Sequence, residues 1–196
     1  MNEKEDLRIE TRRLLEVLCD VESKFKLYNF LFEKTQEKKS RIAMDKYGIF
    51  FKELLSSLIC TIIVRLSALT NYDKDSKNIP KTITRFESGK VISDFDEDKK
   101  RVFIEAKKLY SKVNPLLEKL KSYRDMGLAH LDKRFFNKEN QLYLNFSLTK
   151  EEYEKIIRCC RATLKAMTIC VDGEVIKNKD NSVEGALLLF DEIISQ

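Results

Sequence analysis

The stretch from Ile49 to Leu69, IFFKELLSSLICTIIVRLSAL, decides the fold. Its apolar residues cover nearly all sides of a helix instead of one stripe, which is typical of a helix surrounded by others. Serines, a threonine and Arg65 interrupt it, so it does not read as a membrane span. We expect a central helix from a cap at Ser40 to about Asn71. Arg65 must then pair with an acid, reach solvent or face a ligand.

A long helix is predicted before this segment, from Glu5 to about Lys38. Apolar residues recur there at steps of three and four, which places them on one face. We expect its aromatic residues to lie in the core. The stripe comprises Leu7, Leu14, Leu15, Leu18, Val21, Phe25, Tyr28 and Phe32, with Phe30 as a further core aromatic.

Shorter helical segments are predicted after the central helix. A polar loop over residues 71–78 leads to a helix that Pro80 opens and that ends near Gly89. Asp94 or Asp96 is expected to cap the next helix. Pro115 then either kinks that helix or starts a new one.

The C-terminal part of the chain carries further helix signals. The apolar pattern after Pro115 predicts a helix that continues through Leu131, and residues 141–146 are expected to form an extended loop. Thr149 and Glu152 have the spacing of a capping box, which starts a helix reaching Val171. Ser182 is expected to cap a last helix. These elements predict an all-α, up-and-down bundle of about five to six helices in a single domain, residues 1–196.

The composition limits the classes of function. Lys and Arg number 37 against 32 Asp and Glu, which gives a formal net charge of +5. This mild excess fits a polyanion partner without requiring one. The N-terminus is polar and no apolar run is long enough to cross a bilayer, so we expect a cytoplasmic protein with no membrane contact. Five cysteines without zinc-site spacing are expected to be buried, reduced thiols, with no metal or cofactor.

The candidate site lies in residues 121–134, KSYRDMGLAHLDKR. This stretch holds the chain's only histidine, His130, which is the side chain best suited to titrate near neutral pH. Arg124 and Asp125 precede it. Lys133 and Arg134 follow it and either extend a phosphate-binding rim or simply occupy an exposed helix end.

The Arg124-x5-His130 motif and the sequence AHLD at residues 129–132, within an all-helical chain, resemble the HEPN superfamily and in particular its AbiU-like abortive-infection branch. The polar residue that usually accompanies the arginine in that signature is Asp125 here. The resemblance implies a HEPN-like fold, a homodimer whose two motifs line one cleft, and RNA cleavage without a metal.

The roles implied by this resemblance suit the residue types. His130 would act as acid or base toward the ribose 2′-hydroxyl and the leaving oxygen. Arg124 would hold the phosphate, and Asp125 would orient Arg124 or polarise the site. The products would be a cyclic phosphate and a 5′-hydroxyl. The alternative is a non-catalytic HEPN-like module that binds a partner protein or nucleic acid. An antitoxin or a nucleotidyltransferase remains a further candidate partner.

Helix geometry places a demand on this motif. Residues six apart point about 120° apart on an ideal α-helix, so Arg124 and His130 do not share one face. Three features would reconcile them: the reach of the arginine side chain, a π-bulge favoured by Gly127, or assembly across a two-fold axis.

Overall fold

The computed structural model describes residues 3–37, 41–71, 76–88, 92, 95–125 and 148–172, with side chains from residue 46 onwards in the second range. Within these ranges the chain forms α-helices and no strand, which confirms the predicted all-α fold. The predictions for residues 141–146 and for a last helix from Ser182 lie outside the described residues. The helices are α1 (Glu3–Gln36), α2 (Arg41–Thr70), α3 (Ile79–Ser88), α4 (Glu97–Ser111), α5 (Asn114–Tyr123) and α6 (Lys150–Asp172).

Side-chain caps fix the starts of α3 and α4. Asn78 Oδ1 accepts from the Lys81 N–H at 2.9 Å at the start of α3. Asp96 Oδ1 accepts from the Lys99 N–H at 2.8 Å. Of the two residues predicted to cap α4, Asp94 and Asp96, the cap is therefore Asp96. Each bond satisfies a backbone donor that the first helical turn leaves unpaired. Pro115 lies in the first turn of α5, so it starts a new helix and does not kink α4.

The chain divides into two compact units. One unit, unit 1, comprises Met1–Leu18 and Val64–Ile176, and the other, unit 2, comprises Cys19–Ile63 and Lys177–Gln196. Helices α1 and α2 each contribute to both units. The helices α3 to α6 belong to unit 1, which therefore contains the described part of the candidate site. That residues 1–196 act as a single domain stays a prediction.

The core of unit 1 combines aromatic packing with close contact between α4 and α6. The rings of Phe86 and Phe103 stack with their centroids 5.3 Å apart. The Thr163 hydroxyl on α6 reaches the Ala106 carbonyl on α4 at 3.3 Å. More residues are buried on α6 than on any other described helix, and its apolar face packs against α4 and α5.

A buried carboxylate links α1 to α3. The Glu10 side chain is only 2% exposed. It accepts from Arg85 at 2.6 Å and from the Thr82 hydroxyl at 2.7 Å, and the Lys77 ammonium lies 3.1 Å away. Asp6 binds the second arm of Arg85 at 2.8 Å. A buried charge is tolerated only when it is paired and hydrogen-bonded, and these contacts meet that condition.

Unit 2 corrects two expectations about the apolar residues. Phe25 is buried as predicted, but Phe32 is 47% exposed, so the prediction that it lies in the core is wrong. Ile49 is 83% exposed and Phe50 is 62% exposed. Both residues belong to unit 2, and their exposure contradicts the expectation that other helices surround the whole of residues 49–69.

Helix α2 departs from a straight helix at Tyr47, where φ is −122° and ψ is 16°. The next residue, Gly48, has the weakest helix preference after proline, which explains why the axis breaks here. Further along α2, Arg65 is exposed, so it reaches solvent, which is one of the three alternatives expected for it.

Three of the five cysteines have the burial that was expected for all of them. Cys159, Cys160 and Cys170 are buried free thiols, whereas Cys19 and Cys60 are half-buried. Burial raises the pKa of the Cys170 thiol to about 11, which keeps it protonated and unreactive at neutral pH. In the part of the chain that the structure describes, no helix has the length and apolar content needed to cross a membrane.

Substituting Glu10 tests the α1–α3 link. Glu10→Ala leaves the partly buried Arg85 with Asp6 alone, so we expect a loss of about 3 kcal/mol in the free energy of unfolding. Asp6→Ala is the matched control, since it removes the half-buried carboxylate that binds the same arginine, and its loss should be smaller. Urea denaturation of the variants measures both. Equal losses would contradict a central role for Glu10.

Candidate functional site

The position of Arg124 is set by the buried face of α5. Leu117, Leu120 and Tyr123 are buried, and Leu120 is fully so. Their spacing of three places them on one side of the helix. Tyr123 immediately precedes Arg124, so anchoring its ring in the core fixes the rotation of the last turn. Arg124 consequently emerges at the edge of the core, with its side chain 28% exposed.

Asp125 holds the Arg124 side chain. The Arg124 Nε donates to Asp125 Oδ1 at 2.7 Å, and the second guanidinium nitrogen lies 2.5 Å from the same oxygen. This charge-assisted contact occupies one edge of the planar guanidinium. Among the residues with described positions, no other partner of Arg124 is present. The contact is the one that an orienting role for Asp125 would need, although that role stays a prediction.

The backbone at Arg124 and Asp125 forms a wider, π-type turn at the end of α5. The Arg124 N–H still bonds the Leu120 and Lys121 carbonyls. A π-turn was one of the three features expected to change the angle between Arg124 and His130, and such turns are frequent at functional sites. The remaining residues of the predicted site, Gly127, His130, Lys133 and Arg134, lie outside the described residues, as does the predicted continuation of α5 to Leu131.

A second contact attaches α5 to the start of α6. Lys119 binds both carboxylate oxygens of Glu152, at 3.2 and 3.0 Å. Glu152 also accepts from the Thr149 N–H at 2.8 Å, and the Thr149 hydroxyl accepts from the Glu152 N–H at 3.3 Å. This reciprocal pair is the predicted capping box. One carboxylate therefore caps α6 and also ties it to the helix that carries Arg124.

The electrostatics of Glu152 reflect these contacts. Partial burial acts to raise the pKa of Glu152, but hydrogen bonds from Thr149 and Lys119 and the charge of Lys119 outweigh it. The net effect is a lowered pKa. Glu152 is therefore ionised at neutral pH, and its ion pair with Lys119 between α5 and α6 is then fully formed.

A cavity of about 450 Å³ lies beside α5 on the side of Lys121, one turn before Arg124. Its walls include the paired side chains of Glu87 and Lys107, together with Glu118 and Tyr110. Its cations are balanced by its carboxylates, so it does not have the excess positive charge that a phosphate site needs. In the described ranges, no three His, Cys, Asp or Glu side chains are grouped as a set of metal ligands.

The sequence model of one protein family, HEPN_AbiU2 (AbiU2), matches residues 4–182. The chain belongs to this family. The match covers most of the chain, including α2 to α6 and α1 from its second residue, so it shows the resemblance inferred from the sequence to be correct. No curated protein and no solved structure matches the chain.

Membership of HEPN_AbiU2 relates the candidate site to a known protein family, which the geometry of Arg124 and Asp125 alone does not do. The matched residues 4–182 include the Arg124-x5-His130 motif, which lies in an all-α chain. The family is of the abortive-infection type, so an abortive-infection HEPN-like module is the coarse assignment for this chain.

Reasoning from the sequence missed two structural features, which are the burial of Glu10 and the contact between Lys119 and Glu152. Glu10 falls between Leu7 and Leu14 on the predicted apolar stripe, at a helical spacing that indicates burial, and that position was the available signal. The contact between Lys119 and Glu152 had no sequence signal, because the two residues are far apart in the chain. The capping box explained Glu152 locally and gave no reason to seek another partner.

The pH dependence of stability tests the Glu152 contacts. Because its folded-state pKa is lowered, Glu152 stabilises the fold above its ordinary pKa of 4.5 and loses that effect as pH falls through the folded value. Glu152→Gln should therefore cost about 1 kcal/mol at pH 7. The difference between the two proteins should shrink as pH falls below 4.5. Urea unfolding at several pH values measures it, and a difference independent of pH would contradict the account.

Proposed function

We propose that this chain is a metal-independent endoribonuclease of the defence or toxin type, which acts as a homodimer. Its catalytic residues would be Arg124 and His130, with Asp125 in a positioning role. The observation that carries the proposal is the Arg124–Asp125 pair, held at the partly exposed end of a buried helix in a chain of the HEPN_AbiU2 family.

The proposed chemistry follows from the residue types. The ribose 2′-hydroxyl loses its proton to a neutral His130 and attacks the adjacent phosphorus, while the bond from phosphorus to the 5′-oxygen breaks. A protonated His130 gives a proton to that leaving oxygen. The products are a 2′,3′-cyclic phosphate and a 5′-hydroxyl, and no water or metal takes part in this step.

A dimer gives this mechanism both forms of the histidine. Each chain has a single histidine, so one site needs two chains to hold one neutral and one protonated imidazole at the same time. The free edge of the Arg124 guanidinium would bind the phosphate and stabilise its transition-state charge. Lys133 and Arg134 would extend the contact with the RNA backbone.

A second candidate is a HEPN-like module that binds a partner protein or nucleic acid without cleaving it. The same ion pair supports this alternative, because Asp125 already offsets the charge that Arg124 would offer to a phosphate. The described cavity beside α5, with its balanced charges, adds no phosphate site to Arg124.

Single substitutions distinguish the two candidates. The wild-type protein should cleave single-stranded RNA in the presence of EDTA. His130→Ala should lower the rate by roughly 10²- to 10⁴-fold, because it removes the proton-transfer group. Arg124→Ala should lower it by about 10²- to 10³-fold through lost stabilisation of transition-state charge. Fragment analysis of a labelled RNA under single-turnover conditions measures all three rates.

The control for this assay is Arg13→Ala, which removes an exposed arginine on α1 and should leave the rate unchanged. Unfolding curves of each variant exclude loss of fold. If the wild-type protein at high concentration leaves diverse RNAs intact, or if His130→Ala cleaves them as fast as wild type, the nuclease proposal fails. The non-catalytic module would then be preferred.

A further inference from the structure

We propose that the outer surface of the α4–α6 pair binds the phosphate backbone of the substrate RNA at a place separate from Arg124. This surface, the basic face, is defined by Arg101 on α4, by Lys112 directly after the last residue of α4, and by Lys155 and Arg158 on α6. All four side chains are exposed. The inference rests on the proposed function for the identity of the ligand.

The antiparallel register of the two helices brings Lys112 close to the two cations of α6, while Arg101 lies further along α4. The Cys170 thiol on α6 lies 3.5 Å from the Lys99 carbonyl on α4, and Thr163 reaches the Ala106 carbonyl at 3.3 Å. Residue numbers therefore rise along α4 while those of the facing residues fall along α6. Continuing this register places the C-terminal end of α4 opposite the part of α6 that carries Lys155 and Arg158.

The surroundings of Cys159 give independent support for this placement. Burial raises the pKa of the Cys159 thiol, while three cations, Lys155, Arg158 and Lys112, act to lower it. Charges from both helices are thus close enough to influence the same sulfur atom. Lys112 and the two cations of α6 therefore belong to one surface around Cys159.

No described carboxylate lies within ion-pair distance of Arg101, Lys112, Lys155 or Arg158. Elsewhere in unit 1, by contrast, many cations are paired, as Arg85 is with Asp6 and Glu10. Glu105 lies between Arg101 and Lys112 along α4.

Glu105 pairs with a fifth cation, Lys108, at 2.8 Å, and the more distant charges of Lys112 and Arg101 also lower the pKa of Glu105. Its single negative charge is outnumbered by these cations. Like charges that face one another across two packed helices repel, and an anionic partner removes that repulsion.

The spacing fits an extended polyanion better than a small anion. Arg101 and Lys112 are separated by about 16 Å along the axis of α4, a distance that spans several charges of a nucleic-acid strand. Exposed lysines and arginines that contact phosphates give affinity without reading sequence. This surface would therefore hold RNA of any sequence, while the Arg124 site acts on one phosphate.

Neutralising the basic face tests the proposal. The variant is Lys112→Gln, Lys155→Gln and Arg158→Gln together. The probe is a fluorescein-labelled, single-stranded RNA with 2′-O-methyl riboses, which cannot be cleaved through the 2′-hydroxyl. Fluorescence anisotropy should show affinity weakened roughly tenfold or more at moderate salt, and the slope of log K against log salt should become shallower by about 2.

The matched control is Arg13→Gln, Lys46→Gln and Lys52→Gln, which removes the same charge from exposed positions on α1 and α2. It should retain most of the wild-type affinity. If the two triple variants lose equal affinity, net charge alone is responsible and the proposal is overturned. If the basic-face variant binds as wild type does, the RNA assignment is overturned and an acidic protein partner becomes the preferred occupant.

The same assay separates this inference from the nuclease proposal. If the uncleavable RNA binds through the basic face while unmodified RNA remains intact, the surface assignment stands and the nuclease proposal fails. If unmodified RNA is cleaved equally well by wild type and the basic-face variant, and both bind equally, the surface assignment fails and the nuclease proposal stands.

Discussion

The packing of α4 and α5 against α6 is the constraint on which both candidate surfaces depend. Helix α6 buries its apolar face in unit 1, and α4 lies along it in antiparallel register. The first turn of α6 also holds α5 through Lys119 and Glu152. The orientation of Arg124 and the convergence of cations on the basic face therefore share one structural origin.

Charged residues have two different environments in unit 1. Where they lie at helix–helix contacts they are paired, as Glu10 is with Arg85 and Glu152 is with Lys119. These pairs satisfy groups that burial would otherwise penalise. The four cations of the basic face form no ion pair with a described carboxylate, and solvent screening makes this tolerable. The paired charges stabilise the contacts between helices, whereas the cations of the basic face are available to bind an anionic ligand.

Much of the fold could be predicted from the sequence because its signals are local. Helical periodicity, the capping box at Thr149 and Glu152, and the proline of α5 each depend on residues within one or two turns. The exposure of Phe32 and Ile49 could not be predicted in this way. An apolar residue is buried only if another element covers it, and periodicity does not state which elements meet.

Part of the candidate site could also be predicted from the sequence, because its signals are local. The Arg124-x5-His130 spacing and the single histidine mark the motif, and Asp125 adjoins Arg124 directly. The basic face brings together residues more than forty positions apart, and it becomes visible only through the α4–α6 register. Its cations, read along the chain, resemble an ordinary solvated surface.

Analysis of the product ends is the most direct test of the central claim. RNA treated with the purified protein in EDTA would be examined by mass spectrometry for its terminal groups. Transfer through the 2′-hydroxyl predicts a 2′,3′-cyclic phosphate on one fragment and a 5′-hydroxyl on the other, with neither formed by His130→Ala protein. Fragments ending in a 3′-hydroxyl and a 5′-phosphate, or no cleavage at all, would contradict the proposed roles of Arg124 and His130.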